Sequence, residues 1–445
     1  MGARTPDAPV SGAGEPAGAE GGGRPRVVIA GAGFAGLWAA RTLAREGKGK
    51  VDVLLLDRNN YHTFLPLLYQ VAAAELGPAE IAYPVRSVFR GFPHIDFRMA
   101  EVQKVRPADR CVVVEGGVRV SYDYLLLAMG SDSHFFGVEG AAEHAFPLLR
   151  IEEAMPLRRH ILSCFERAVH EPDPAERRRL LTFTIVGGGP TGVEFGGALA
   201  ELVYGPLQKD YPAIGEGEVR IVLLEAMDRV LGALPEKLGA YAHRRLERQG
   251  VEVRLDTAVK EITAREALLA DGSAIASETV VWTAGVRGME GPAAWGLPVG
   301  PRGHIVAEPT LQVEGFPEIY VAGDLAHVEI DGTAVPGVAP AAVQGGAHVA
   351  SNILRQVSGK APLPLRYSDP GMLAVIGRNA AVAHVRGRSF TGFVAWVLWL
   401  VIHIGKLIGF RNRALVLVQW AWNYISYERA VRLILPAESD RRKGA

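Results

Sequence analysis

The sequence predicts an α/β protein holding two copies of one strand–turn–helix–strand unit, followed by a small helical C-terminal element. Three observations lead there: a glycine-rich turn directly after a short apolar strand, first at Gly31 and again at Gly187; an acid ending the next strand in each copy; and an abrupt change of composition after Ser389. The chain has 445 residues, 49% hydrophobic and 22% charged, which makes it globular and long enough for two or three domains. Its 48 basic and 48 acidic side chains cancel. No global field therefore draws it to nucleic acid, and any attraction to lipid has to be local.

In the first unit, Val27 to Ala30 is an unbroken apolar run, as expected of a parallel strand covered on both faces. The turn Gly31-Ala32-Gly33-Phe34-Ala35-Gly36 follows at once. Leu37, Ala40 and Leu43 then repeat at helical spacing, and Gly47 marks the helix end. A second strand, Val51 to Leu56, ends on Asp57. The order has a chemical reason. Gly31 permits a tight turn, Gly33 lets backbone approach a pyrophosphate, and Gly36 lets the helix pack closely on the strand. Free N–H groups at the helix start face the phosphates, and Asp57 is placed to accept hydrogen bonds from a ribose.

The unit recurs at Thr182–Val186, with Gly187, Gly189, Pro190, Thr191 and Gly192 in the turn and a helix running to Leu202. Its second strand, Val219 to Leu224, ends on Glu225. The stretch Tyr204 to Glu218 lengthens the glycine-to-acid spacing beyond the usual ~20 residues, which a surface loop absorbs. Two such Rossmann-like units imply two dinucleotides, one flavin and one nicotinamide. A carboxylate at Glu225 accepts from a free ribose 2′-hydroxyl and repels a 2′-phosphate, so NADH is expected over NADPH. Further on, Ile319–Ala322 reads as a strand leading to Gly323 and Asp324. The stretches ending at Ser131 and lying around Gly285 read as crossovers between domains. The only cysteines, Cys111 and Cys164, are far apart; they form neither a redox dithiol nor a metal-ligand spacing, and no metal is expected.

Together these stretches resemble the two-dinucleotide flavoprotein reductases and, within them, the type II NADH:quinone oxidoreductases, over about Arg26 to Leu435. The resemblance implies bound FAD, with Gly31, Ala32, Gly33, Phe34, Ala35, Gly36, Asp57, Ser131, Asp324 and Gln344 as its contacts; Asp324 would meet the ribityl chain. NADH would lie on Gly187, Gly189, Pro190, Thr191, Gly192, Glu194, Glu225 and Gly285. The segment Asp57 to Ala73 is similar to the family's own, and it lacks the reactive cysteine of the disulfide reductases. Glu194, in the first turn of the second glycine-turn helix, would sit beside the flavin–nicotinamide contact and assist proton delivery to quinone; an acid favoured by the helix dipole alone is the alternative. The family shows Ala-Gln-x-Ala-x-Gln after the aspartate. This chain keeps Ala339, Ala342 and Gln344 but has Pro340 at the first glutamine, leaving Gln344 and Ala342 as the quinone-side candidates.

From Ser389 onward the chain holds four of its seven tryptophans: Trp396, Trp399, Trp420 and Trp422. The apolar run Phe390–Ile404 is shorter than the ~20 residues of a membrane-spanning helix. Eight Lys and Arg (Lys406, Arg411, Arg413, Arg429, Arg432, Arg441, Arg442 and Lys443) face three acids (Glu428, Glu438 and Asp440), a local charge of +5. Apolar stretches broken by bases and rich in Trp suit helices lying in the interface. A dimer interface is the alternative, and in the family this region serves both.

The expected organisation is a leader at 1–24, rich in Gly, Ala and Pro; a flavin domain in two parts, 25–150 and 288–388; a nicotinamide domain at 151–287; and an attachment or dimerisation region at 389–445. The leader has no apolar core to act as a secretory signal. The resemblance implies NADH oxidation through FAD to a membrane quinone without proton pumping, by a homodimer held peripherally on the cytoplasmic face of the inner membrane. A reductase for soluble acceptors and a redox sensor or scaffold remain as alternatives.

Overall fold

The computed structural model describes residues 23–215, 217–426 and 432–434. Almost all of the expected leader lies outside them, as do Arg429, Arg441, Arg442, Lys443, Glu428, Glu438 and Asp440. The described chain forms two compact units. The first gathers residues up to His62, Pro84–Ser131 and Gly288–Tyr367; the second gathers Thr63–Tyr83, Asp132–Arg287 and Ser368 onward.

The first unit is built on a sheet of nine strands among the described residues. Arg26–Ala30 is an interior strand, third from one edge, parallel to Asp52–Asp57 on one side and to Tyr124–Leu127 on the other. Phe316–Val321 adds to Tyr124–Leu127, again in parallel. Val27 to Ala30 are fully buried, as an unbroken apolar run predicts. The helix Phe34–Thr42 follows the glycine turn and packs on a later helix, Ala339–Val357. Their approach is very close. A Cβ on Gly346 would come within 2.0 Å of the Ala35 carbonyl oxygen.

The first helical stretch ends at Gly47 as expected, though not through a left-handed glycine. Its last turn widens into a π-turn at Leu43–Gly47, and Lys48 takes the left-handed conformation (φ 39°). Gly47 is buried instead, where a Cβ would stand 3.5 Å from Leu354, so its small size serves packing rather than the turn.

The second unit centres on a five-stranded parallel sheet in the order 146–147, 279–282, 182–186, 220–224, 251–254. The helix Pro190–Leu202 follows its glycine turn and packs on an antiparallel sheet of three strands spanning Met372–Thr391. That contact also needs a small residue: a Cβ on Gly197 would meet the Ile376 carbonyl oxygen at 2.0 Å. The helix Gly392–Lys406 covers the strand Ala380–Val385, and Phe410–Ser426 follows it.

Two stretches read from the sequence as crossovers turn out to be interior strands, each followed at once by the passage into the other unit. Tyr124–Leu127 lies between two partners in the first sheet, and Thr279–Trp282 between two in the second. The division also differs from the expected domains. Residues 63–83 and 368–388 pack with the nicotinamide-side unit, because their neighbours are the helix Pro190–Leu202 and the C-terminal helices.

Candidate active site

In the first unit the glycine turn has the shape its spacing predicts. Gly31 has φ +103°, and a Cβ there would meet the Ala128 carbonyl oxygen at 2.3 Å. A Cβ on Gly36 would lie 1.8 Å from the Gly31 oxygen. Gly33 is exposed, with only the Ala128 oxygen near, at 3.9 Å. The helix start carries neither a side-chain cap nor an acid in its first turn, so Phe34, Ala35 and Gly36 present it to an anion unopposed. Asp57 accepts the Ala32 N–H at 2.6 Å and the Asn59 N–H at 2.7 Å, which fixes its carboxylate beside the turn. An open glycine, an uncapped helix and a fixed acid fit a dinucleotide.

His62 was not anticipated. Its Nδ1 lies 2.9 Å from the Ala32 carbonyl and its ring meets Phe34 edge-on. Burial depresses its pKa to about 4, so the ring is neutral and Nδ1 donates to the turn. Its Nε2 is buried without a partner among the described residues. Asp324 lies next to Ser131, and burial lifts its carboxyl above the usual range. Its backbone carbonyl is held by His304 at 2.9 Å.

Gln344 lies half-buried on the helix Ala339–Val357. Ala342 is a packing residue, 6% exposed, and stands beside the Cβ position of Gly323 at 3.5 Å. Pro340 occupies the first turn of that helix, where its missing N–H is an orphan in any case.

The second unit repeats the design. Gly187 has φ +109°, and a Cβ on it would meet Ala284 N at 2.8 Å; a Cβ on Gly192 would meet the Gly187 oxygen at 1.9 Å. Gly189 faces open space and is the uncapped helix start, with Pro190 and Thr191 behind it. Glu225 accepts the Gly188 N–H at 2.6 Å and the Met227 N–H at 2.9 Å. The long connection before it is no obstacle, since Arg177 anchors it through Glu218 at 2.6 Å. Gly285 (φ +82°) has Phe136 2.7 Å from where its Cβ would be.

Glu194 is the fifth residue of its helix and lies beyond the first turn, which carries no acid. The dipole of the helix start therefore does not account for it. The side chain lines a cavity of about 650 Å³ within the second unit. Burial lifts its carboxyl to about 8, against the pull of the Val375 N–H (3.2 Å) and the Trp399 indole. Tyr69, Gln70, Trp396, Trp399 and Trp420 share the cavity wall. Trp399 and Trp420 pack at 5.3 Å, and Trp396 and Tyr424 at 5.7 Å. The cavity joins an apolar, aromatic wall to charged groups that include Glu75, Glu201, Arg245 and Arg378, a mixture suited to a small molecule. Ala342 and Gln344 belong to the first unit and do not line it. Tyr69 and Gln70 lie in the segment Asp57 to Ala73 that is similar to the family's own, but nothing in its spacing marks either of them as lining a cavity.

Cys111 and Cys164 are both buried and free, and burial lifts the Cys164 thiol to about 11, so neither is a ready nucleophile. Among the described residues no cluster of metal-ligating side chains occurs.

Two nucleotide-shaped turns on separate sheets define the class. Residues 25–346 match the model of the pyridine nucleotide-disulphide oxidoreductases, and 370–426 match that of the NDH2 C-terminal domain. A type II NADH:quinone oxidoreductase of Mycobacterium tuberculosis is 38% identical over 94% of this chain and 92% of its own length. A second from the same organism is 37% identical over 95% and 94%. The structure of NDH2 from Plasmodium falciparum in complex with NADH superposes with a TM-score of 0.83 at 18% identity, covering 93% of this chain and all of that one; this likeness speaks for the fold. The chain belongs to the type II NADH:quinone oxidoreductases and is a flavin-dependent enzyme.

Proposed function

We propose that this protein oxidises NADH at a bound FAD and reduces a quinone held in the cavity beside Glu194, without pumping protons. When bound, FAD supplies the two-electron carrier between the two substrates. The chain supplies binding, orientation and protons. The first glycine turn, Asp57, Ser131, Asp324 and Gln344 would hold FAD. Gly187 to Gly192, Gly285 and Glu225 would hold NADH, with the fixed Glu225 carboxylate turned to a ribose 2′-hydroxyl. Reduction of a quinone takes up protons, and Glu194 is the group in this cavity whose carboxyl stays protonated near neutral pH.

The observation that carries the reading is the cavity itself, with a protonated acid on an aromatic wall. That wall is built from the C-terminal helices. Trp396 and Leu400 line the cavity, while Phe393, Val397 and Val401 of the same helix are 58%, 38% and 66% exposed. Phe410, Val418 and Ile425 extend the exposed apolar surface onto the next helix. None of the described helices is long and apolar enough to cross a membrane. Side chains of this kind suit peripheral attachment, which would bring an apolar quinone to the protein. The cytoplasmic face and a homodimer complete the proposal on the strength of the family resemblance.

Two of the bases counted toward lipid attraction have internal work. Arg413 caps the preceding helix through the Leu407 and Gly405 carbonyls, at 2.7 and 2.9 Å, and Arg432 pairs with Asp210 at 2.8 Å. The exposed apolar side chains therefore matter more to attachment than the formal charge.

The test is anaerobic. NADH should bleach the flavin absorbance and a short-chain quinone should restore it. In Leu400→Trp, which fills the cavity, bleaching should persist while the restoring step slows at least tenfold. Absence of bleaching would refute the donor; restoration at the wild-type rate in Leu400→Trp would refute the cavity.

A further inference from the structure

Tyr69 and Gln70 sit on a short helix, Leu68–Ala72, packed against the second glycine-turn helix. Both are almost completely buried, at 4% and 5% exposure, yet both line the cavity. Their polar ends form a chain with the last described helix. The Trp420 indole N–H donates to Gln70 Oε1 at 3.0 Å, and Gln70 Nε2 donates to the Tyr69 hydroxyl oxygen at 3.0 Å.

The direction of this chain is fixed by chemistry. An indole N–H can only donate, so the amide oxygen of Gln70 must face Trp420. The amide nitrogen must then face Tyr69, and it too can only donate. Tyr69 is left as acceptor on one side, with its own hydrogen free to point elsewhere. Among the described residues no protein acceptor lies at hydrogen-bond distance for that hydrogen. Glu194 shares the cavity but takes its hydrogen bond from Val375. Burial, with the nearby acids Glu194 and Glu75, holds the phenol well above its ordinary pKa, so it remains a neutral donor.

We propose that Tyr69 donates its hydroxyl hydrogen to a carbonyl oxygen of the quinone in this cavity, and that Gln70 and Trp420 are positioning residues that aim it. The inference rests on the cavity being the quinone site. The phenol keeps its proton throughout; its contribution is a preoriented donor where negative charge builds on the quinone oxygen as electrons arrive. Donors in a chain polarise one another, so the hydrogen bond from Gln70 strengthens the one Tyr69 gives. The chain also ties the C-terminal helix to the reacting end of the cavity.

The experiment is a double-mutant cycle on the full-length holoenzyme, with NADH saturating and two acceptors, a short-chain quinone and ferricyanide, the latter drawing electrons without needing a shaped carbonyl site. Tyr69→Phe should lower kcat/KM for quinone about tenfold, the loss of one well-made hydrogen bond, with the loss confined to the quinone arm. Trp420→Phe should lower it about threefold, and in the Tyr69→Phe background it should cost nothing further, because it acts through the same hydroxyl. Multiplicative losses in the double variant would overturn the proposal. So would an equal loss with ferricyanide, which marks a structural defect. Unchanged quinone kinetics in Tyr69→Phe would overturn it while leaving the quinone site intact, provided Leu400→Trp still slows quinone. If Leu400→Trp is silent as well, the cavity reading falls with it.

Discussion

Replacing Glu194 by Gln removes the titrating group while keeping its shape, and its consequence for pH dependence can be worked from the site. The carboxyl is lifted to about 8, first by burial in the cavity and against the Val375 N–H that draws it back. With that value the group is about 90% protonated at pH 7 and about 10% protonated at pH 9. If the protonated carboxyl delivers a proton to quinone, kcat/KM for quinone should fall about tenfold between those two pH values. In Glu194→Gln the fall should vanish and the rate should be low throughout, since the amide has no proton to give. The assay follows NADH oxidation from pH 6 to 9.5, with quinone in one arm and ferricyanide in the other. The descending limb belongs to quinone alone. The same midpoint surviving in Glu194→Gln, or an identical limb with ferricyanide, would refute the reasoning. The folding equilibrium carries the same signature. A carboxyl raised from its ordinary value near 4.5 to about 8 binds its proton more tightly in the folded state. Its contribution is complete below about 4.5 and is lost as pH rises through 8, and the variant should show a flatter dependence on this limb.

Two further outcomes test other parts of the molecule. Glu225→Gln should lower kcat/KM for NADH about tenfold and narrow the preference over NADPH, because it weakens acceptance from a 2′-hydroxyl and ends repulsion of a 2′-phosphate; an unchanged ratio of the two efficiencies would count against Glu225 as the selector. Replacing exposed Phe393, Val401 and Phe410 by Ser should cut sedimentation with anionic phospholipid vesicles at least tenfold, with the far-ultraviolet circular dichroism preserved. Equal sedimentation would place attachment elsewhere. These substitutions are cleaner than removing 389–445, because Trp399 on the same segment is 1% exposed and its loss would open the second unit.

Local demands on the backbone were written in the chain itself. Gly31 and Gly187 need positive φ, Gly36 and Gly192 need room against a carbonyl, and each requirement involves residues of the same turn or its own strand. Spacing alone therefore located both glycine turns and the acids fixed beside them, Asp57 and Glu225. Glu194 was legible as a candidate, but its elevated pKa depends on what encloses it. The cavity draws on Tyr69, Glu194, Val375, Trp399 and Trp420, spread over some three hundred and fifty residues of chain. No pattern of period two or 3.6 records such neighbours. The segment 63–83 shows the limit most clearly. In sequence it follows the acid of the first turn, yet it packs with the second unit, where Tyr69 and Gln70 meet an indole N–H from the far end of the molecule. Sequence determined the glycine turns because hydrogen bonding and φ are settled within a few residues. Tertiary structure decided the cavity, because burial and the direction of a buried hydrogen bond exist only once distant segments have packed.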